Sequence, residues 1–511
     1  MTAARAASAD RSVLIIGGGI AGLSMGCYAG MNGYRATVLE MHDKPGGLMT
    51  AWTRHGYTVD YCVHWLCGSA PGGSLYRLWE EIGLVQGLEL VNLDEFYRYE
   101  GDDGRTVVIC RDLDRTVAQL SALSPADAPL LRDFFGAAKK LVGADMMADM
   151  PPREAMGVGG SMKLMTRMLP LLRPYRKWGP RSLESVAAGF SDPLLAAAFR
   201  AMWPAQSSAF FMLMTLAWLH EGSAGYPIGG SLPLARRVER RLTELGGEIR
   251  YGARVAEILV EDGRAVGVRL DDGEELRAGA VVSCADGHET IYDLLGGRFL
   301  GSVHRDVYEG GVLPLFTSLL FIGVGVADPF ADLPRIVTGI DVPMPEALEA
   351  GGRTYRRLHV RVHNFDPTLA PEGKTALTCM LEADESWWGP LRVEDPERYR
   401  AEKRRVADAV VATLEARWPG TAERVEMVDV STPATLVRYT GNWRGSFEGW
   451  LPTPEWQLKD VPRTLPGLDR FWMAGQWVAP GGGLPSGVMT ARQVQQLICR
   501  ADGLPFVTSR P

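Results

Sequence analysis

The chain opens with two short apolar runs on either side of a stretch of small residues. Ser12 to Ile16 is rich in aliphatic side chains, which favours a buried strand. Residues 23–32 are typical of a tightly packed helix, and Arg35 to Glu40 predicts a second strand that ends in a carboxylate. The order of strand, helix and strand predicts a βαβ unit over residues 13–40.

The middle of the chain, residues 226–286, predicts a second block of the same α/β type. A helix is expected from Ser231 to Leu245, followed by three strands with Asp-Gly turns between and after them. These strands are expected at Glu248 to Tyr251, Arg254 to Glu261 and Ala265 to Leu270. Residues 280–286 are expected to return to the first sheet as a buried strand.

Two longer inserted stretches, residues 91–225 and 287–464, lie between the predicted cofactor-domain blocks. The second stretch contains three strand-like runs and then a segment with apolar residues at helical spacing. The runs are Val312 to Val326, Arg356 to His363 and Thr375 to Glu382, and the apolar helix face is Val406, Val410 and Leu414. This pattern predicts an antiparallel sheet covered by helices.

Composition and charge exclude several classes of protein. The 511 residues are 46% hydrophobic and 23% charged, as in a folded globular protein. A net charge of −7 disfavours nucleic acid as a partner. Seven cysteines without a CxxC pair predict a reducing compartment, and the apolar run after Arg11 is too short for a signal peptide, so we expect a cytoplasmic protein.

Glycines with the spacing Gly-x-Gly-x-x-Gly directly follow the first predicted strand. Gly17 permits a tight turn, Gly19 lets a pyrophosphate approach the backbone, and Gly22 allows the helix to pack closely on the strand. The N–H groups at the start of this helix favour an anion. Glu40 is placed to accept hydrogen bonds from ribose hydroxyls, which favours FAD or NAD over a 2′-phosphorylated dinucleotide.

Two further glycine-rich segments favour FAD over NAD. Pro45-Gly46-Gly47 lets the chain run beside the same pyrophosphate, although a plain β-turn has the same composition. Residues 480–487 lead into a predicted helix whose N-terminus suits the anionic edge of a flavin; the alternative is an ordinary strand–turn–helix connection. The sequence has no second Gly-x-Gly-x-x-Gly between a strand and an acid, so a nicotinamide cofactor has no evident site.

These motifs resemble those of the phytoene desaturase-related flavoproteins, a group that includes carotenoid isomerases and retinol saturases. The matching segments are residues 17–22 with Glu40, 45–47, 56–60, 64–65, 229–230, 281–286, 438–442, 474–476 and 480–485. The resemblance implies a Rossmann-type, glutathione-reductase-like FAD-binding domain and a discontinuous substrate domain. It also implies desaturation, saturation or cis–trans isomerisation at carbon–carbon bonds of isoprenoid or lipid-like molecules, reached through a hydrophobic tunnel.

We therefore predict an α/β protein with two discontinuous domains. Residues 1–90, 226–286 and 465–511 are expected to form the FAD-binding domain, and residues 91–225 and 287–464 the substrate domain with its antiparallel sheet and helices. The residues expected to bind FAD are Gly17, Gly19, Ile20, Ala21, Gly22, Glu40, Gly46, Gly47, Val255, Gly475, Gln476, Gly487 and Val488. Gln476 departs from the wider amine-oxidase-like superfamily, in which an acid often binds the ribityl chain, but an amide can still form hydrogen bonds.

Hydride transfer to a flavin requires a substrate carbon held close to the ring and does not require a protein nucleophile. His64 is a candidate general acid or base, and a structural histidine is the alternative. Arg438 and Tyr439 are expected to face the flavin or, alternatively, to anchor the loop that continues to Trp450. No metal site is predicted, because Cys62, His64 and Cys67 do not complete a tetrahedral ligand set.

A hydrophobic small molecule is the expected substrate, and two segments bear on how it enters. Residues 155–183 contain basic residues and no acid, interleaved with Met and Leu, which favours peripheral contact with an anionic membrane; packing on the protein's own domain is the alternative. The basic residues are Lys163, Arg167, Arg173, Arg176, Lys177 and Arg181. Residues 209–219 are too few to span a bilayer and predict a buried helix that lines a tunnel.

Two rival functions remain open at the level of sequence. An amine-oxidase-like flavoenzyme would keep the flavin and oxidise a C–N or C–H bond of a polar metabolite. A prenyl-binding protein of the Rab escort or GDP-dissociation-inhibitor type would share the fold without redox chemistry. Glu40, Gly46-Gly47 and the C-terminal glycine loop argue against the second rival.

Overall fold

The computed structural model describes residues 11–145, 148–456 and 460–511, apart from the side chains of residues 153, 158, 161 and 163. The sequence before Arg11, on which the prediction of no signal peptide partly depends, lies outside the described residues, as does the side chain of Lys163.

The described strands are β1 (Ser12–Ile16), β2 (Arg35–Glu40), β3 (Ala51–Arg54), β4 (Tyr57–Asp60), β5 (Leu66–Cys67), β6 (Leu90–Val91), β7 (Glu95–Glu100), β8 (Thr106–Cys110), β9 (Ala224–Pro227), β10 (Glu248–Tyr251), β11 (Val255–Glu261), β12 (Arg264–Leu270), β13 (Glu275–Arg277), β14 (Ala280–Ser283), β15 (Ser318–Val326), β16 (Ile336–Ala350), β17 (Arg353–Val362), β18 (Thr375–Ala383), β19 (Val425–Ser431) and β20 (Phe471–Met473).

The described α-helices are α1 (Ile20–Met31), α2 (Ser74–Glu81), α3 (Leu113–Leu123), α4 (Ala128–Lys139), α5 (Val158–Trp178), α6 (Leu183–Ala187), α7 (Pro193–Ala201), α8 (Ala209–His220), α9 (Ser231–Glu244), α10 (Ser302–Tyr308), α11 (Glu385–Glu394), α12 (Pro396–Arg417), α13 (Pro433–Thr440) and α14 (Gly483–Ala501).

A parallel five-stranded sheet with the order β10-β2-β1-β14-β20 is the centre of one half of the folded molecule. Its strands come from both ends and the middle of the chain. Alternate residues of β1 face different cores, as expected for a buried strand: Val13 and Ile15 pack with residues of α1, α9 and α14, whereas Leu14 and Ile16 pack with residues of the antiparallel sheet β11-β12-β13. The carboxyl ends of parallel strands share one edge of a sheet, which is where nucleotides bind in this architecture. The predicted Rossmann-type fold class is confirmed.

The second half contains a seven-stranded sheet with the order β19-β15-β18-β17-β16-β7-β8, in which all neighbours are antiparallel except β16 and β7. The predicted apolar face of α12, with Val406, Val410 and Leu414, is buried against this sheet. On the other side, Tyr57 and Val59 of β4 pack where β15 carries glycines. This contact brings the segment after β4 next to β17.

Two details of the second half differ from the predictions. The strand predicted at 312–326 begins only at Ser318, because the residues before it pair with a loop. The Phe316 amide donates to the carbonyl oxygen of Gly449, and Leu315 forms an isolated β-bridge with Trp450. Strands β7 and β8 join the large sheet although they come from the first inserted stretch, where no strand was predicted.

The apolar segment near residue 210 forms a buried helix, α8, as predicted. Among the described helices, none is long and apolar enough to cross a membrane.

Candidate cofactor and substrate site

The turn between β1 and α1 has the geometry that its glycines predict. Gly17 adopts a φ of +95°, and a Cβ atom on Gly22 would overlap with the carbonyl oxygen of Gly17, so close packing of the helix on the turn requires glycine at residue 22. No side chain caps the N-terminus of α1, whose first residues are Ile20 and Ala21. The first-turn N–H groups of the helix are therefore available to an anion.

Glu40 is held at the carboxyl edge of the sheet by backbone amides. Its Oε2 accepts a hydrogen bond from the Gly18 amide at 2.6 Å, and its Oε1 accepts one from the His42 amide at 2.8 Å. The residue is 6% exposed, and this burial raises the pKa of its carboxyl group, opposed by the amide hydrogen bonds. A carboxylate has further lone pairs, so Glu40 can also accept from ribose hydroxyls.

The Gly46-Gly47 segment runs beside this turn, as the sequence predicts. The Gly46 amide donates to the carbonyl oxygen of Gly18 at 2.9 Å, and a Cβ atom on Gly47 would lie 3.2 Å from the Gly19 Cα. A Cβ atom on Gly19 itself would meet only the Gly46 carbonyl oxygen, at 3.7 Å. The space in front of Gly19 is thus open on the side where a pyrophosphate would lie.

Val255 begins β11 close to the Glu40 edge. The preceding residues tie it there, since the Ala253 amide donates to the Glu40 carbonyl oxygen at 2.9 Å and the Gly252 amide to that of His42 at 3.1 Å. Val255 is buried. Its position fits the nucleotide end of a bound dinucleotide.

The C-terminal glycines bring the start of α14 onto the start of α1. A Cβ atom on Gly487 would lie 2.6 Å from the Ile20 Cγ2, and one on Gly475 would lie 3.4 Å from the Ala21 Cβ. Val488 is fully buried behind this contact. The half-buried Gln476 side chain packs against Gly449. A Cβ atom on Gly449 would lie 3.1 Å from the Gln476 Cγ.

His64 is half-buried beside a cation from the other half of the molecule. Arg361 of β17 donates to the carbonyl oxygens of Val63 and His64 at 2.9 and 3.0 Å. Burial, followed by the charges of Arg361 and His359, lowers the pKa of His64 well below its usual value. The ring is therefore neutral at neutral pH. Since the Cys62 carbonyl oxygen can only accept, His64 Nδ1 carries the proton in their 3.2 Å contact and Nε2 is the free acceptor.

Arg438 and Tyr439 lie elsewhere. The Tyr439 ring is 5.1 Å from the His42 ring, and the Arg438 guanidinium is 5.0 Å from the Tyr439 ring. These distances place both residues at the Glu40 end, and the structure does not bring them together with His64. Their role in catalysis stays a prediction.

An aromatic row connects the two halves and was not foreseen from the sequence. It consists of Trp65, Trp203, Phe316 and Phe447, with successive ring centroids 6.1, 6.5 and 5.2 Å apart. The buried indole N–H of Trp203 has no hydrogen-bond partner among the described residues. Helix α8 reaches the same region, because a Cβ atom on Gly481 would lie 3.5 Å from the Phe211 ring. An apolar wall that includes the unpaired N–H of Trp203 suits a large hydrophobic ligand.

The metal prediction concerns the same segment. Burial raises the pKa of Cys62, and raises that of Cys67 to about 12, so both thiols are protonated at neutral pH. No group of three or more candidate metal ligands occurs in the part of the chain that the structure describes.

Comparison with known proteins agrees with this geometry. Residues 15–82 match the NAD(P)-binding Rossmann-like domain. Over 500 residues the chain is 26% identical to the chloroplastic prolycopene isomerase of Arabidopsis thaliana, covering 94% of this chain and 82% of that protein. It is 27% identical over 519 residues to the neurosporene-forming phytoene desaturase of Cereibacter sphaeroides, covering 96% and 95%.

The chain is similar over most of its length to prolycopene isomerases and phytoene desaturases. The predicted resemblance is thereby confirmed, and so is the prediction of an oxidoreductase enzyme.

Solved structures show the same fold. An oxidoreductase from Methanosarcina mazei aligns with a TM-score of 0.59 at 17% identity, covering 95% of this chain and all of that one. Cyclohexylamine oxidase from Brevibacterium oxydans aligns with a TM-score of 0.57 at 13% identity, covering 96% and 99%. At these identities the likeness concerns the fold alone.

Proposed function

We propose that the chain is an FAD-dependent oxidoreductase that acts on carbon–carbon bonds of a hydrophobic isoprenoid or polyene. The observation that carries the proposal is the open space at Gly19 between the Glu40 carboxylate and the start of α14, and the aromatic row beside His64 supports it. The names of the relatives, prolycopene isomerase and phytoene desaturase, support a polyene of the carotenoid class as the substrate.

The residues at the sheet edge suggest the direction in which FAD would lie, from adenosine at one end to flavin at the other. We assign its pyrophosphate to the start of α1 and the Gly46-Gly47 segment. There the glycines place no side chain in the way, and the first N–H groups of the helix have no side-chain cap. Its adenosine belongs at the Glu40 end, beside Val255. The remaining predicted contacts then fall on the flavin side, with Gly475 and Gln476 near the ribityl chain and Gly487 and Val488 behind the ring. Bound FAD would accept or deliver an electron pair as hydride.

The substrate side is the apolar part of the site. The aromatic row and α8 offer rings and aliphatic side chains, whose contact with an extended polyene buries apolar surface on both partners. His64, at one end of the row, is uncharged and presents Nε2 as a hydrogen-bond acceptor; its part in the reaction stays a prediction.

Helix α5 supports delivery of the substrate from a membrane. Met162, Met165, Leu169 and Leu172 follow one another at helical spacing and are all exposed, the first three to about 60%. Arg173 and Arg176 beside them are exposed as well. An exposed apolar stripe flanked by cations fits an anionic lipid surface, and we propose peripheral contact there.

Purified protein tests the enzymatic proposal. We expect it to carry the visible absorption of oxidised flavin, and to convert prolycopene or phytoene presented in liposomes while leaving putrescine and cyclohexylamine unchanged. Turnover of an amine with no change in either polyene would favour the amine-oxidase alternative. Protein that folds but never binds FAD would contradict the proposal as a whole.

A further inference from the structure

Glu448 lies where the two halves of the candidate site meet. Two hydrogen bonds hold the residues that follow it. The Phe316 amide donates to the Gly449 carbonyl oxygen at 2.9 Å, and the Gly481 amide donates to the Trp450 carbonyl oxygen at 2.9 Å. A Cβ atom on Gly483 would lie 3.8 Å from Glu448 Oε1. The carboxyl group therefore lies at the glycine loop that starts α14.

The surroundings of Glu448 on its other side belong to the His64 segment. Its charge is among those that raise the pKa of Cys62 and Cys67, which places the carboxyl group near both residues. Phe447, the last ring of the aromatic row, directly precedes it in the chain. Glu448 is thus the acidic residue that adjoins the proposed flavin loop, the segment around His64 and the apolar row together.

The Glu448 carboxyl group is half-buried and forms no hydrogen bond or ion pair with any other described residue. Burial alone raises its pKa to about 8. Other buried acids of the molecule are paired: Asp60, for example, accepts hydrogen bonds from the Ser231 amide and hydroxyl. An unpartnered carboxyl group whose surroundings raise its pKa is typical of a site where chemistry uses the proton.

We propose that Glu448 is the acid–base residue of the reaction at the proposed site, exchanging one proton with the substrate carbon next to the one that exchanges hydride with FAD. In saturation, the O–H bond of Glu448 breaks and a C–H bond forms at one carbon of the double bond. The hydride for the C–H bond at the neighbouring carbon would come from FAD in its reduced form, so that the alkene is reduced as the flavin is oxidised. In desaturation both C–H bonds break: the Glu448 carboxylate takes the proton, and the hydride would go to FAD in its oxidised form.

This inference rests on the proposed flavin site, and it assigns the proton to a residue that the sequence motifs do not mark. Glu448 differs from His64 in being a proton donor at neutral pH, because its pKa lies above 7 whereas that of His64 is lowered. The two residues would therefore have opposite effects on the pH dependence of turnover.

Glu448→Gln tests the inference, because it keeps the size of the side chain and removes the titrating proton. Glu455→Gln is the matched control, an exposed acid in the same loop region. Infrared spectroscopy should show the carbonyl stretch of a protonated carboxylic acid that disappears as the pH rises through about 8 in wild type and in Glu455→Gln, and that is missing in Glu448→Gln. Turnover of Glu448→Gln should fall about a hundredfold or more with FAD retained.

Glu448→Asp keeps the carboxyl group and should restore part of the turnover and the infrared band, so the inference remains testable if the Gln variant does not fold. Wild-type turnover by FAD-loaded Glu448→Gln, or an infrared band that this substitution leaves unchanged, would overturn the inference while leaving the proposed function intact. Wild-type protein without FAD would instead overturn the proposed function, and the inference with it.

Discussion

Gly22 stands directly against Gly17, so that a Cβ atom at residue 22 would overlap with the Gly17 carbonyl oxygen. Gly19, in the same turn, has no such neighbour; the nearest atom to its Cβ would be the Gly46 carbonyl oxygen, 3.7 Å away. Two glycines of one motif are therefore required for different reasons. Gly22 lets the helix pack on the turn, and Gly19 leaves room in front of it.

Substitution at these two positions should separate folding from cofactor binding. We expect Gly22→Ala to lower the free energy of unfolding by about 1–3 kcal/mol, because the backbone must shift to relieve the overlap. Gly19→Val should fold with nearly normal stability and lose FAD, since its side chain fills the space assigned to the pyrophosphate. Urea denaturation and the visible flavin absorption measure the two effects. Full flavin occupancy in Gly19→Val would show that this turn does not hold the cofactor.

The cofactor turn could be predicted from sequence because its requirements are local. The spacing of Gly17, Gly19 and Gly22 encodes a backbone turn and a helix start within a few residues, and Glu40 follows at the end of the next strand. The seven-stranded sheet was predicted only in part, because the apolar run before Ser318 has the composition of a strand but pairs with the loop at Trp450.

The residues around His64 could not be found in this way. Arg361 reaches His64 from a strand almost 300 positions later, and Glu448 adjoins the same segment from a loop further on. Neither has a neighbouring motif in the sequence, and their proximity depends on β15 packing against β4. The aromatic residues set among charged ones in β7, Glu95 to Glu100, are a strand signal in the first inserted stretch.

The lowered pKa of His64 predicts a loss of stability in mild acid. In the unfolded chain this histidine takes up a proton near its ordinary pKa of 6.5, whereas burial and Arg361 prevent uptake in the folded protein. The unfolded state then binds more protons, so the free energy of unfolding falls as the pH drops below 6.5. His64→Asn should make this fall shallower in urea titrations. The control is His55→Asn, at an exposed position, which should leave the pH dependence as in wild type.

Tyr439 should affect retention of FAD more than turnover, because its ring lies 5.1 Å from His42, two residues after Glu40. Losing a ring contact of about 1 kcal/mol in Tyr439→Ala would weaken FAD binding roughly fivefold. Tyr439→Phe keeps the ring and should bind FAD normally. Fluorescence titration of apoprotein with FAD gives both constants. If Tyr439→Phe, fully loaded with FAD, lost its turnover, the hydroxyl group would have the catalytic role predicted from the sequence.

The exposed stripe of α5 should bind anionic liposomes in a manner that salt weakens. Each basic residue near such a surface contributes about 1 kcal/mol. Reversing Arg173, Arg176 and Lys177 to Glu should therefore abolish co-sedimentation with phosphatidylserine vesicles at low salt. Leu169→Ser removes exposed apolar area and no charge. It should therefore weaken vesicle binding by a similar factor at low and at high salt.

Reversal of charge elsewhere on the surface provides the control for this experiment. Arg400→Glu with Arg404→Glu changes two exposed residues one turn apart on α12, away from the apolar stripe, and should leave vesicle binding close to wild type. An equal loss of vesicle binding in the α5 and α12 variants would mean that binding depends only on the net charge of the protein, which is −7 for the whole chain. Wild-type protein that stays in the supernatant at low salt would remove α5 from the route of the substrate, and the polyene would then have to enter from solution or from a carrier.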